Sequence, residues 1–130
     1  MKAKTNIKFN GEKIGRITLS IAKKLRCKCA DIYVSDDLTH ILRHKKEIES
    51  VGFTAYDYVR FIAKNFNQIR KGSCESFLLV VYNETISHVA AIKMNYCTKK
   101  GIWEVATAQP RRKSEIDKKE MLWCDCPHHK

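Results

Sequence analysis

The sequence predicts an α+β domain in which N-terminal helices pack on one face of a small antiparallel β-sheet. Apolar residues recur at helical spacing before Gly72, whereas unbroken or alternating β-type runs follow it. Short turn segments separate three of these runs, as expected for strands that follow one another in a meander. Helices followed by a meander are typical of the α+β class. The 130 residues fit a single domain, 1–130.

The N-terminal region predicts a hairpin and a basic amphipathic helix. Asn10-Gly11 is a typical tight-turn pair. Apolar residues then repeat at helical spacing from Ile14 to Leu25, with Lys23 and Lys24 on the opposite side. These two lysines could face either a phosphate backbone or solvent.

Two further helices are expected after a short strand at residues 31–34. Residues 35–37 supply an N-cap for a helix over 38–49, which Gly52 ends. Thr54 then predicts the cap of the next helix, and Phe53 and Tyr58 occupy the positions of a hydrophobic staple.

The three strands are predicted at residues 77–82, 86–96 and 102–109, with Pro110 ending the last. With a regular turn between the second and third, Lys93 and Asn95 share a face with three side chains of the third strand, Trp103, Thr107 and Gln109. A one-residue bulge would break that grouping. After Pro110, the charged residues 111–130 are expected to form a surface helix or tail that extends a core at 14–110.

The net charge of +11 is unevenly distributed. Residues 1–30 contain nine Lys or Arg against the single acid Glu12. Such an excess favours a polyanionic partner, above all nucleic acid. Generic solubility and an acidic protein partner are the alternatives.

The sequence also predicts a cytoplasmic location. No window approaches the roughly 18 unbroken apolar residues of a membrane span, and the charged start lacks the apolar region of a signal peptide. We therefore expect no membrane association and six reduced cysteines.

The helix expected over residues 38–49 contains the main candidates for chemistry. His40 and His44 lie one turn apart on it, with Arg43 nearby. Histidine transfers protons near neutral pH, and neighbouring cations can hold an anion. The alternative is a solvated helix face that carries two histidines.

Several strings resemble a known class of nucleases. They are Ile14-Gly-Arg-Ile17, Ile32-Tyr-Val-Ser35, His40-Ile-Leu-Arg-His44, Phe61-Ile-Ala-Lys-Asn-Phe-Asn-Gln-Ile69 and Val105-Ala-Thr107. Together, over residues 14–110, they resemble phage and mobile-element nucleases of the barnase–EndoU–colicin–RelE-like class.

The resemblance implies a metal-independent endoribonuclease with its site on the open face of the sheet. The histidine motif of the class falls on His40 and His44, and its late-strand hydroxyl falls on Thr107. Lys45 stands where a proline is expected after the second histidine. The implied partners are RNA, tRNA among the candidates, and an immunity or antitoxin protein.

Metal-free RNA cleavage needs a base for the ribose 2′-OH, an acid for the leaving 5′-oxygen and cations around the phosphate. His40 and His44 suit the proton roles. The positive charge of Arg43, Lys93 or Arg111 could stabilise the transition state. Asn95, Thr107 and Gln109 could bind a phosphate or a base edge.

Two other readings stay open. A zinc ion could be bound by the two histidines or by the C-terminal string Cys124-Asp-Cys-Pro-His-His129. Cys27–Cys29 and Cys124–Cys126 form two Cys-x-Cys pairs, although structural zinc sites usually space their cysteines by two to four residues. The chain could also be a nucleic-acid-binding protein without catalysis.

Overall fold

The computed structural model describes residues 10–97 and 99–125, which form one seven-stranded sheet and five short helices. The sheet order is β1-β2-β6-β5-β4-β3-β7. Every neighbouring pair is antiparallel except β2 and β6, which are parallel. The elements are β1 (Gly11–Ile17), α1 (Leu19–Leu25), β2 (Ala30–Ser35), α2 (Thr39–Leu42), α3 (Lys45–Ser50), α4 (Ala55–Asn65), β3 (Gln68–Lys71), β4 (Phe77–Val81), β5 (Ile86–Asn95), β6 (Ile102–Arg112), α5 (Lys113–Ile116) and β7 (Met121–Cys124).

The α+β class and the β4–β5–β6 meander are therefore confirmed, but the sheet is mixed and larger than predicted. Four strands flank the meander, two on each side. No helix within the described ranges combines the length and apolar character needed to cross a bilayer.

The prediction of a helix from Ile14 to Leu25 is wrong in its first half. Residues 11–17 form β1, and α1 begins only after Thr18, whose hydroxyl accepts a hydrogen bond from the Ile21 amide at 3.4 Å. The register with β2 shifts between Lys13 and Gly15, and Ile14 and Ile17 are both buried despite their odd separation. The bulge thus imitates the spacing of a helix. The first arm of the expected Asn10-Gly11 hairpin lies outside the described residues.

Helix α4 forms as predicted and is the centre of the core. The Thr54 hydroxyl accepts from the Asp57 amide at 3.3 Å, and the rings of Phe53 and Tyr58 lie 5.3 Å apart. The helix packs against five strands, β1, β2, β4, β5 and β6. Helix α1 contacts β7, although β7 and β1 are at opposite ends of the sheet order. The sheet therefore curves around α4, bringing β7 and α1 together.

His88 projects from β5 into this core, next to α4. Its Nδ1 lies 2.9 Å from the Tyr58 hydroxyl, and its ring makes edge contacts with Tyr58 and Phe61 at centroid distances of 5.4 and 5.7 Å. Desolvation lowers the pKa of His88 and raises that of Tyr58. His88 is thus a hydrogen-bonded structural residue, which shares its strand face with the buried Ala90 and Ile92.

The single helix expected over residues 38–49 is interrupted in the middle. Helix α2 ends at Leu42, the amide of His44 donates to the carbonyl of Ile41 at 3.0 Å, and α3 begins with His44 as its N-cap. This i→i−3 turn is tighter than an α-helical turn. His40 and His44 therefore do not lie on one continuous helix, which corrects the expected pairing of their side chains.

The segment after residue 109 also differs from its expected form. Strand β6 continues through Pro110, which pairs with His88 of β5. Strand β2 pairs with β6 only at Trp103 and Glu104, so beyond them no strand of the described chain needs an amide from that edge of β6. The described part of 111–130 is not a tail. It adds β7 to the sheet beside β3, and it buries Ile116.

Candidate active site

A groove of about 590 Å³ lies between α2 and the neighbouring strands β5 and β6. Helix α2 contacts β6 where β2 has diverged from it, so the helix forms one wall and the strands form the other. The groove collects four of the side chains predicted from the sequence: His40, Lys93, Asn95 and Thr107. It also contains two carboxylates that were not predicted, Asp37 and Glu104.

A bulge in β6 determines which side chains of that strand face the groove. Ala91 pairs with Thr107, but Ile92 pairs with Val105, so Ala106 is the extra residue. Because paired residues project to the same side, Thr107 and Gln109 share the face of Lys93 and Asn95. Before the bulge the even-numbered residues of β6 face the groove, and after it the odd-numbered residues do. Trp103 is buried in the core, which corrects its expected place, and Glu104 occupies the groove face instead.

Hydrogen bonds within the groove position its carboxylates. Nδ2 of the Asn95 side chain donates a hydrogen bond to Oε1 of Glu104 at 2.8 Å, which orients this carboxylate. Asp37 accepts from the Thr39 amide at 3.1 Å and from the Thr39 hydroxyl. These bonds, together with the nearby His40, lower the pKa of Asp37. Asp37 is therefore an ionised residue at the start of α2, next to His40.

His40 and Lys93 are two ionisable groups of the groove that are available to a ligand. Both are exposed. Among residues 10–97 and 99–125, neither makes a hydrogen bond or ion pair, apart from the electrostatic proximity of His40 to Asp37. The groove thus has a proton-transfer group on its helix wall, and a cation beside a hydrogen-bonded carboxylate on its strand wall.

His44 is separated from this arrangement. Its Nδ1 lies 3.0 Å from Oε1 of Glu47, and the side chain is 24% exposed. It is not among the groove-lining side chains. The two histidines of the sequence motif therefore do not converge on the groove, which corrects the expectation that both face one open surface.

The other predicted binding residues lie around the groove or elsewhere. Arg43 is exposed at the end of α2, and Gln109 is on the groove face of β6 without lining the groove. Arg111 is ion-paired with Glu115 at 3.0 Å and lines a separate pocket of about 450 Å³. Lys23 and Lys24 are exposed on the last turn of α1, away from the groove wall.

The cysteines proposed as zinc ligands are only partly described. Cys27 and Cys29 are free thiols, as are Cys74 and Cys97, whereas Cys124 is disulfide-bonded, so the expectation of six reduced cysteines does not hold. A disulfide sulfur is not the thiolate that zinc requires. In the described part of the chain no three His, Cys, Asp or Glu side chains are placed to share a metal ion. Cys126 lies outside that part.

Sequence reasoning missed Glu104 because its position on the groove face depends on the bulge at Ala106. The sequence pattern predicts a helix cap at residues 35–37 and gives Asp37 no chemical role, although Asp37 lies three residues before His40. A scan for acids close to His40 in sequence would have found Asp37, but no local signal identifies Glu104.

No protein-family model matches the sequence, and no curated protein or solved structure matches the chain.

Proposed function

We propose that the protein is a metal-independent endoribonuclease of the barnase–EndoU–colicin–RelE-like class, acting on RNA in the cytoplasm. The observation that carries the proposal is the convergence of His40, Glu104, Lys93 and Thr107 on one groove. They come from α2 and from the consecutive strands β5 and β6, which follow α2 by more than 40 residues. The net charge of +11 supports a polyanionic substrate.

The reaction is an internal transesterification. A base removes the proton from a ribose 2′-OH, the 2′-oxygen forms a bond to phosphorus, and the bond to the 5′-oxygen breaks as an acid protonates that oxygen. The products end in a 2′,3′-cyclic phosphate and a 5′-hydroxyl. We assign the base to Glu104, because a carboxylate is an acceptor when ionised, and the acid to His40.

The remaining groove residues bind the phosphate. Lys93 is exposed and without an ion-pair partner in the described chain, so its charge is available to a phosphate as negative charge grows on it. The Thr107 hydroxyl can donate to a phosphate oxygen from the adjacent strand. Asn95 orients Glu104 through its 2.8 Å hydrogen bond and is a positioning residue.

The architecture is compatible with this class. A helix borders an antiparallel meander, and the groove lies on the meander next to that helix. A ribonuclease of this kind damages the cell that makes it, so an immunity or antitoxin protein is the expected regulatory partner.

The test is incubation of end-labelled RNA with the purified protein in excess EDTA. We expect fragments ending in 2′,3′-cyclic phosphate, and no cleavage of DNA of the same sequence, because DNA lacks the 2′-OH nucleophile. Binding without strand scission would instead support the alternative of a non-catalytic nucleic-acid-binding protein. Activity that disappears with EDTA and returns with zinc would support the metal-dependent alternative.

A further inference from the structure

Tyr96 is an exposed aromatic residue on the wall of the groove. It follows the end of β5 and is 60% exposed, although a tyrosine ring has a large apolar area that proteins usually cover. A single exposed ring is ordinary on a protein surface, but this one lines a groove with polar side chains, where an aromatic face can contact a bound molecule.

The ring is fixed in place by the loop before β2. Lys28 Nζ lies 5.1 Å from the ring centroid, and the same ammonium donates a hydrogen bond to the carbonyl of Lys100 at 3.2 Å. The carbonyl of Lys28 accepts from the indole of the buried Trp103 at 3.0 Å. The loop and the β5–β6 turn are therefore tied together around Tyr96.

Gly101 supports the ring from the turn. Its φ of +81° is a conformation that favours glycine, and a Cβ there would lie 3.2 Å from Cδ1 of Tyr96 and only 2.5 Å from Sδ of Met94. The tyrosine ring thus rests close to the Gly101 backbone. A ring that already packs against Lys28 and the Gly101 backbone loses less conformational freedom when a ligand binds it.

Positive charge surrounds the ring. Lys28 lies over the ring, Lys99 and Lys100 are exposed just before β6, and none of the three is in a salt bridge within residues 10–97 and 99–125. A base can stack on an aromatic ring while cations contact the phosphates beside it. The bases inside a duplex have both faces covered by their neighbours, so only an unpaired base can stack in this way.

We propose that Tyr96, with Lys28 and Lys100, forms a subsite that stacks an unpaired base of single-stranded RNA beside the groove. The identity of the ligand as RNA rests on the proposed function, and the subsite adds a preference for unpaired over duplex substrate. The base on Tyr96 and the phosphate near Lys93 would belong to the same strand, because both residues line one groove.

The test measures binding to an RNA that cannot be cleaved. A fully 2′-O-methylated, fluorescently labelled single strand and a blunt duplex of the same sequence are titrated against wild type, Tyr96→Phe and Tyr96→Ser, with anisotropy as the readout. We expect Tyr96→Ser to weaken single-strand binding by about tenfold, Tyr96→Phe to retain it, and duplex binding to stay unchanged. Circular dichroism verifies that each variant is folded.

Tyr56→Ser is the matched control. Tyr56 also lies under a cation, with the Arg60 guanidinium 5.1 Å from its ring centroid, but it is not on the groove. Its substitution is expected to leave single-strand binding unchanged. An equal loss in Tyr56→Ser would show a general effect of removing a tyrosine and would overturn the subsite.

The subsite would also be overturned by unchanged single-strand binding in Tyr96→Ser, by an equal loss in Tyr96→Phe, or by an equal loss for the duplex. RNA cleavage with no dependence on Tyr96 would remove the subsite and leave the nuclease. Binding that depends on Tyr96 without any cleavage of unmodified RNA would remove the nuclease and leave the subsite.

Discussion

Nδ2 of the Asn95 side chain donates a 2.8 Å hydrogen bond to Oε1 of Glu104, joining the end of β5 to the neighbouring strand β6 on the face of the groove. Glu104 reaches this face because the bulge at Ala106 reverses the parity of β6. The backbone of β6 and the side chain of Asn95 therefore hold this carboxylate in the groove that His40 also lines.

Glu104→Gln is expected to lower the single-turnover rate of RNA cleavage by about 10²–10⁴, because the amide cannot take the 2′-OH proton. The shape of the side chain is nearly unchanged, so RNA affinity should be retained. Glu115→Gln is the matched control, since it removes a carboxylate paired with Arg111 outside the groove. A rate for Glu104→Gln close to that of the control would remove Glu104 from the mechanism.

His44→Ala is expected to have a small effect on cleavage, because His44 does not line the groove. The variant loses the partly exposed contact with Glu47, which contributes at most about 1 kcal/mol to the free energy of unfolding. Cleavage rates and urea midpoints of wild type and variant provide the comparison. A loss of rate as large as that of His40→Ala would show that both histidines of the motif act together.

Lys93→Met is expected to weaken RNA binding and to flatten its salt dependence. If Lys93 contacts one phosphate, the slope of log Kd against log salt should fall by about 0.7 for a single strand. Lys46→Met removes an exposed lysine outside the groove lining and should leave the slope unchanged. Equal slopes for the two variants would mean that the groove does not hold the phosphate backbone.

The hydrogen bond between the buried Tyr58 and the half-buried His88 predicts a pH dependence of stability. Desolvation lowers the pKa of His88 below its ordinary value of 6.5, so the unfolded chain binds this proton more readily than the folded one. The corresponding stability is complete above about pH 6.5 and is lost as the pH falls toward the folded-state pKa. Urea unfolding at a series of pH values should show a smaller acid-side loss in His88→Gln than in wild type.

The Tyr58 hydroxyl provides a control for that experiment. When Nδ1 of His88 is unprotonated, the hydroxyl donates to it, and Tyr58→Phe should cost about 1–3 kcal/mol of the free energy of unfolding near neutral pH. An identical pH profile for wild type and His88→Gln would show that His88 does not govern the acid-side loss.

Local signals in the sequence predicted the elements whose ends they determine. The Thr54 cap and the Phe53–Tyr58 staple define the start of α4, and each is formed by residues no more than five positions apart in the sequence. The sequence also predicted four groove residues, because chemistry-bearing side chains on an amphipathic helix and on alternating strands are recognisable. Their assembly depends on the meander, on the helix beside it and, for Thr107, on the bulge at Ala106.

The elements that sequence reasoning missed depend on distant contacts. Strand β3 contains Arg70, which is buried because Gln68 and the Lys119 carbonyl accept its hydrogen bonds at 2.9 and 2.8 Å. A buried arginine gives no apolar alternation, and its acceptor from residue 119 is far away in the sequence. The bulges at Ile14 and Ala106 are equally invisible to a fixed period of two.

The most direct measurement is the cleavage of end-labelled RNA in excess EDTA by wild type and His40→Ala, with product ends identified by mass spectrometry. We expect 2′,3′-cyclic phosphate ends from wild type and a rate about 10²–10⁴ lower for His40→Ala with RNA affinity retained. Undiminished cleavage by a folded His40→Ala, or an absence of cleavage by wild type, would contradict this expectation.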